Sequence, residues 1–327
     1  MITTNLNNTI LRKITIIGFI LISLIVAGCT DGSGGGNNSG SDSNQFQGGD
    51  EYVNIELEPG SPPEVVYDSQ TSPFDIVLSV ENQGEWDIEE NSLRVLVEGF
   101  SEQSWGSGVK SSVVSSQLIG YDSFYDIEGD IEYITFDNLE YQEELNQNSY
   151  NHNYNVRSCY GYGSRVAFTA CVDNEARRSS GSDDFTLCEG FSQRDFSVSS
   201  GPIGVSEVEQ QVVNGKLRII FTLNNKEFEN YQVTLFSPET LNDQCRVPDG
   251  TSSVQVENSV QISLSNPTIG EFQCSADGRV TFPNSERRVN CEADISTLEK
   301  QEIPMILYVE YDVLDVFRDT ITVERSN

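Results

Sequence analysis

The chain has 327 residues, with 51 Asp and Glu against 19 Lys and Arg, seven Cys and one His. A net charge of −32 offers no basic surface to neutralise phosphate, which excludes ordinary nucleic-acid binding and electrostatic attachment to an anionic membrane. A lone histidine excludes metal centres built from several, and leaves His152 as the sole base for any Ser–His–acid site.

In chain order, Arg12 and Lys13 precede an apolar run from Ile14 to Gly28. As a helix this run covers only about 22 Å of a roughly 30 Å hydrocarbon core, so residues 1–28 read as a secretory signal peptide. The exit, Val26-Ala27-Gly28-Cys29, resembles the lipobox of secreted lipoproteins. That resemblance implies cleavage before Cys29 and a diacylglyceryl group on its thiol, and two acyl chains suffice for stable anchoring. An uncleaved short anchor, or an ordinary signal with an incidental cysteine, is the alternative.

Residues 29–50 are rich in Gly, Ser and Asn and read as a flexible tether with a typical reach of about 25 Å. Asn37 matches a glycosylation acceptor pattern. Without Arg12 and Lys13, seventeen basic side chains face 51 acidic ones, a net charge of −34. Lysine is scarce, five against fourteen Arg. Such self-repulsion destabilises a compact state in dilute buffer and is screened once the Debye length falls to about 3 Å near 1 M salt. The expectation is a halophilic organism, an archaeon.

Beyond the tether, apolar residues alternate. Phe74, Ile76, Leu78 and Val80 share one face, as do Leu93, Val95 and Val97. Val166, Phe168 and Ala170 follow, then Leu217, Ile219, Phe221 and Leu223, then Tyr231, Val233 and Leu235. Val260, Ile262 and Leu264 come next, then Met305, Leu307, Val309 and Tyr311. Period-two runs between Gly, Asn, Asp, Ser and Pro clusters predict half-buried antiparallel strands, an all-β chain of sandwiches about 100 residues each. A turn-forming stretch from Ser199 to Gly204 divides it into two expected tandem β-sandwich domains, 51–200 and 201–327.

Val80, Asn82 and Gly84 form a "V-x-N-x-G" turn after the first alternating strand, and Leu223, Asn224 and Asn225 follow a similar plan without the glycine. The pattern resembles CARDB-like, immunoglobulin-type modules that occur in tandem on archaeal and bacterial surface proteins. The resemblance implies a fold and a location and carries no catalytic residues.

With Cys29 assigned to lipid, six cysteines remain, an even number that suggests disulfides in a secreted chain. Cys171 with Cys188 and Cys274 with Cys291 each bracket a polar segment, and closing either loop is worth roughly 3 kcal/mol. Cys159 and Cys245 either join the two modules or stay free.

Candidate sites are sparse. His152, in "NHNYN", reads as a loop or strand-edge residue. Asp122, Asp126, Glu128 and Asp130 supply oxygens of the kind Ca²⁺ prefers, but without EF-hand order, so no metal site is assigned. Trp86 and Trp105 sit in loop-like segments and are candidates for an exposed contact or sugar-stacking surface. The expected function is that of a lipid-anchored, non-enzymatic, structural or adhesive surface protein without a cofactor. Its partners would be the membrane, through the lipid, and an envelope protein or glycan. The alternative is a carbohydrate- or solute-binding surface lipoprotein.

Overall fold

The computed structural model describes residues 46–69, 72–106, 108–122, 124–172, 191–249, 257–298 and 301–326. Cys29 and Asn37 lie outside the described residues, as does Cys188. The described residues belong to one compact unit.

Its strands are β1 (Val53–Leu57), β2 (Val65–Tyr67), β3 (Phe74–Asn82), β4 (Arg94–Glu98), β5 (Lys110–Val113), β6 (Ile131–Leu139) and β7 (Ser149–Val172). Then come β8 (Phe191–Gln193), β9 (Phe196–Val198), β10 (Ile203–Val213), β11 (Lys216–Asn225), β12 (Val233–Phe236) and β13 (Ser259–Asn266). The last are β14 (Gly270–Glu271), β15 (Gln273–Cys274), β16 (Arg279–Thr281), β17 (Glu286–Asp294) and β18 (Gln301–Glu324). A short helix, α1, covers Glu102–Trp105. The fold is all-β, built of packed, largely antiparallel sheets.

Two strands organise the rest. β7 and β18 each run 24 residues and pair antiparallel without a register shift, from Ser149↔Glu324 to Val172↔Gln301. At about 3.3 Å per residue each spans roughly 80 Å. The even-numbered residues of β7 from His152 to Val172 are all buried, and the odd-numbered residues of β18 lie opposite them. One face of this ribbon is therefore core along nearly its whole length.

The ribbon is the centre of a ten-stranded sheet ordered β14-β13-β18-β7-β4-β5, with β2, β9, β12 and β16 added at the sides. A three-stranded sheet, β1-β3-β6, and a five-stranded sheet, β15-β17-β11-β10-β8, complete the layers. Phe74 of β3 reaches the ribbon through Trp105 and His152, and Phe168 of β7 packs edge-on against Phe221 of β11 at 5.6 Å. A single hydrophobic cluster links both ends. The boundary expected at residues 200 and 201 therefore divides chain segments but not sheets. β7 from one side of it and β18 from the other are hydrogen-bonded from end to end. Local alternation reports strands; it does not report which distant strand each one pairs with.

The predicted inward residues are buried in every alternating run except one. Tyr231 lies outside β12 and is fully exposed, because the chain enters that strand only at Val233.

Cysteines follow the sheet. Cys274 and Cys291 are bonded across the β15–β17 pair. Cys171 is disulfide-bonded. Cys159 and Cys245 are joined, the first of the two alternatives left open by the sequence. This bond fastens the turn before Arg246 onto the outer face of the ribbon, where Leu96, Leu241 and Leu314 form a small second core around it. Glu98 on β4 accepts Arg246 at 2.9 Å and Arg157 at 3.1 Å, closing the same seam with charge.

Candidate functional site

Among the described residues, three places carry side chains that could meet a ligand or partner. The first is a cavity of about 580 Å³ at one end of the ribbon, lined by Ser101, Ser104, Trp105, Tyr141, Glu143 and His152 among others. Its wall is α1. Ser101 caps the helix by accepting the Ser104 N–H at 3.1 Å, and Gly106 ends it in the left-handed region at φ 66°. A helix this short turns Trp105 inward. The indole is 1% exposed and packs against Phe100, Tyr141 and His152 with ring centroids within 5.0 Å.

This corrects two expectations. Trp105 is a core residue whose buried ring underlies a polar cavity. His152 lies within β7, not in a loop, and is buried on the core face of that strand, with burial pushing its pKa down against a weaker opposing pull from the Gly99 carbonyl. Its Nδ1 lies 3.4 Å from the Tyr150 hydroxyl, while the Ser104 hydroxyl donates to Glu143 Oε1 at 3.0 Å. Ser104 thus pairs with a carboxylate. The opposite wall is pinned from below by Asp68, which accepts the N–H groups of Leu145 and Ser326 at 2.8 Å each. These bonds hold the Asp68 carboxyl down at about 2. The chemistry on offer is a buried aromatic floor beneath carboxylate, amide and hydroxyl groups.

The second place is the segment between residues 119 and 133, where six large apolar side chains face solvent: Ile119, Phe124, Tyr125, Ile127, Ile131 and Tyr133. The four acids proposed as oxygen ligands sit here, and three of them serve as struts. Asp122 Oδ1 accepts the N–H groups of Phe124 and Tyr125 at 2.9 and 3.1 Å. Asp126 Oδ1 accepts the Tyr121 hydroxyl at 2.8 Å, and Asp130 Oδ2 accepts the Ile119 N–H at 3.0 Å. With these oxygens turned to the chain's own donors, Asp122, Asp126, Glu128 and Asp130 do not converge. Among the described residues no group of three or more His, Cys, Asp or Glu side chains is placed to hold a metal ion.

The third place is the junction midway along the ribbon, and it corrects the tether's extent. Residues 46–50 belong to the folded body. The Glu85 carboxylate accepts the N–H groups of Gln47 and Gly48 at 3.0 and 3.2 Å and that of Ser200 at 2.8 Å. Lys226 donates to the Gly49 carbonyl at 2.6 Å and pairs with Asp50 at 2.8 Å. Trp86 lies here, half-buried. Its ring covers Gly163, where an added Cβ would come within 2.7 Å of ring carbons. The Arg165 guanidinium lies over both the Trp86 ring, at 5.7 Å, and the Phe46 ring, at 4.9 Å. Trp86 is thus packed at an internal seam and not presented at a loop tip.

The exposed aromatic tip and the Glu85 clasp are the features that sequence reasoning missed. Neither has a local signal, since both depend on what distant segments cover. No protein-family model matches the chain, and neither does any curated protein.

Proposed function

We propose that this chain is a non-enzymatic surface protein, held to the outer face of the cytoplasmic membrane by lipid on Cys29, with a structural or adhesive role. The clasp at Glu85 carries this reading. The chain that leads from Cys29 enters the body where segments of both halves meet, at Glu85 on one side and at Ser200 and Lys226 on the other. A pull on the anchor is thereby shared by segments from both halves of the chain, as an adhesive or load-bearing module requires. Disulfides at Cys159–Cys245 and Cys274–Cys291 suit an oxidising exterior. The acidic surface suits concentrated salt, and the sandwich layering fits the resemblance to CARDB-like modules of archaeal surface proteins.

The test is mass spectrometry of the chain isolated from its native membrane. The expected N-terminus is Cys29 carrying a diacylglyceryl group, and Cys29→Ser is expected to change how the chain is retained. An intact chain with an unmodified thiol at position 29 overturns the anchoring reading.

A second reading, capture of a carbohydrate, is favoured by the cavity beside Trp105 and His152. Glu143 and Ser104 offer partners for sugar hydroxyls over an aromatic floor. Calorimetric titration with oligosaccharides, repeated on Glu143→Gln, checks it. Equal heats for the two proteins remove it.

A further inference from the structure

We propose that the Phe124–Tyr125 tip is a membrane contact, seated in the interfacial layer of the same lipid surface that holds the anchor, and selective for neutral or zwitterionic headgroups. The proposal rests on the anchoring reading above.

The tip is built to stay exposed. Phe124 is 84% and Tyr125 69% exposed, and their rings meet edge to face at 4.8 Å. Both backbone N–H groups are held by Asp122, and Asp122 and Ile127 bridge to close the loop behind them. The two rings are therefore presented with little conformational freedom left to lose on docking. Tyr and Phe suit an interface with one apolar and one wet side.

The position of the tip argues for lipid as its occupant. Tyr121 donates its N–H to the Gly84 carbonyl at 2.7 Å, and Gly120 donates to Asp87 Oδ1 at 2.8 Å. Gly120 sits so close that an added Cβ would come 2.5 Å from the Gly84 oxygen. The next residue, Glu85, holds Gln47 and Gly48. The root of the tip and the point where the chain from Cys29 joins the body thus share one turn. Residues 30–45, sixteen in number, separate Cys29 from Phe46. The seventeen Cα–Cα links from Cys29 to Phe46 cannot exceed about 56–61 Å when fully drawn out, and would span about 20–25 Å as Gly/Ser coil. An anchored chain therefore keeps Phe46, beside the turn in which the tip is rooted, within that distance of its lipid.

Charge narrows the lipid. No Lys or Arg occurs between Lys110 and Arg157, while Asp122, Asp126, Glu128 and Asp130 surround the tip. Anionic headgroups repel such a surface, and salt screens the repulsion. The same charge opposes a second copy of the chain as the occupant.

The test uses the full lipidated chain reconstituted in phosphatidylcholine vesicles, with Phe124→Trp, Tyr125→Trp and, as a reference at the far end of the ribbon, Tyr67→Trp, which is exposed beside Glu324. Lipids brominated along the acyl chain report contact by quenching, and flotation reports attachment. The expected result is that the indoles at 124 and 125 lose at least half of their added emission to brominated lipid, while the one at 67 is unaffected. Phosphatidylglycerol in the mixture weakens the effect in dilute buffer, and 1 M salt restores it. A chain that floats with unquenched tip indoles overturns the tip and leaves the anchor standing. A chain that does not float overturns the anchor and the tip with it. A photo-crosslinker at position 125 that labels protein in place of lipid in whole cells also overturns the proposal.

Discussion

Cys159 on β7 and Cys245, 86 residues further along the chain, are covalently joined. Loop-closure entropy for that separation is worth about 4–5 kcal/mol. The ion pairs of Arg246 with Glu98 and Arg94 with Asp243 remain when the bond is cut, and soften the loss. The expected outcome for Cys159→Ser with Cys245→Ser is a stability loss of about 2–5 kcal/mol in urea titration. An unchanged midpoint would mean that the seam is held by charge and packing alone.

The two tryptophans should separate clearly. Trp105→Ala removes a ring that touches Phe74, Phe100, Tyr141 and His152 in the core, and is expected to cost about 3–5 kcal/mol. Trp86→Ala opens a half-buried seam above Gly163 and is expected to cost less. Denaturant curves for both variants decide the order, and a larger loss for Trp86→Ala contradicts the packing described.

Two carboxylates give stability opposite pH dependence. Asp68, lowered by hydrogen bonds from Leu145 and Ser326 to about 2, contributes stability that is present above its unfolded value near 4. That contribution is lost as pH falls from about 4 toward 2. Asp315 is raised to about 6, chiefly by burial and also by Glu227. Its folded form favours the proton, so its contribution is full below about 4 and lost as pH rises through 6. Asp315→Asn is therefore expected to stabilise the protein by about 1–3 kcal/mol at pH 7.5 and to make little difference at pH 4. A variant less stable than the parent at pH 7.5 contradicts this assignment.

Removing the clasp should free the strap. In Glu85→Ala the N–H groups of Gln47, Gly48 and Ser200 lose their shared acceptor. Limited proteolysis is expected to cut near residues 46–50 several times faster than in the parent, with the sheets still protected. Equal cutting rates would place the hold elsewhere, on Lys226 or on the Phe46–Arg165 stack.

Salt should stabilise the body. With net charge −34 on residues 29–327, the thermal midpoint is expected to climb steadily as KCl rises toward 1 M. A flat or falling curve argues against adaptation to brine.

How far the fold was legible can be judged along β7. The stretch from Val166 to Ala170 alternates with plainly apolar residues and reads as a strand. The stretch from His152 to Ser164 also buries every second residue, with Cys159 and Gly163 buried between them, but its inward residues are His152, Tyr154, Val156, Ser158, Tyr160, Tyr162 and Ser164. Residues with polar atoms hide a period-two pattern from any hydropathy reading. The end of β18 is masked in the same way by Asp315 and Asp319, and Tyr154 donates to Asp319 across the pair at 3.1 Å. The helix caps Ser101 and Gly106 were visible as residue types, but the burial of Trp105 depends on Phe74 and Tyr141, remote in sequence. The exposure of Phe124 and Tyr125 depends on what fails to cover them, which no local window reports.

The pairing of β7 with β18 also sets an order of events. Its partners lie between 129 residues apart at one end and 175 at the other. Until β18 has been made, β7 lacks its main neighbour and the central sheet cannot close. A chain that emerges from its N-terminus must wait, incomplete and with tyrosine-rich surface bare, for that strand to arrive. Closure of the central sheet is thus a late event in folding.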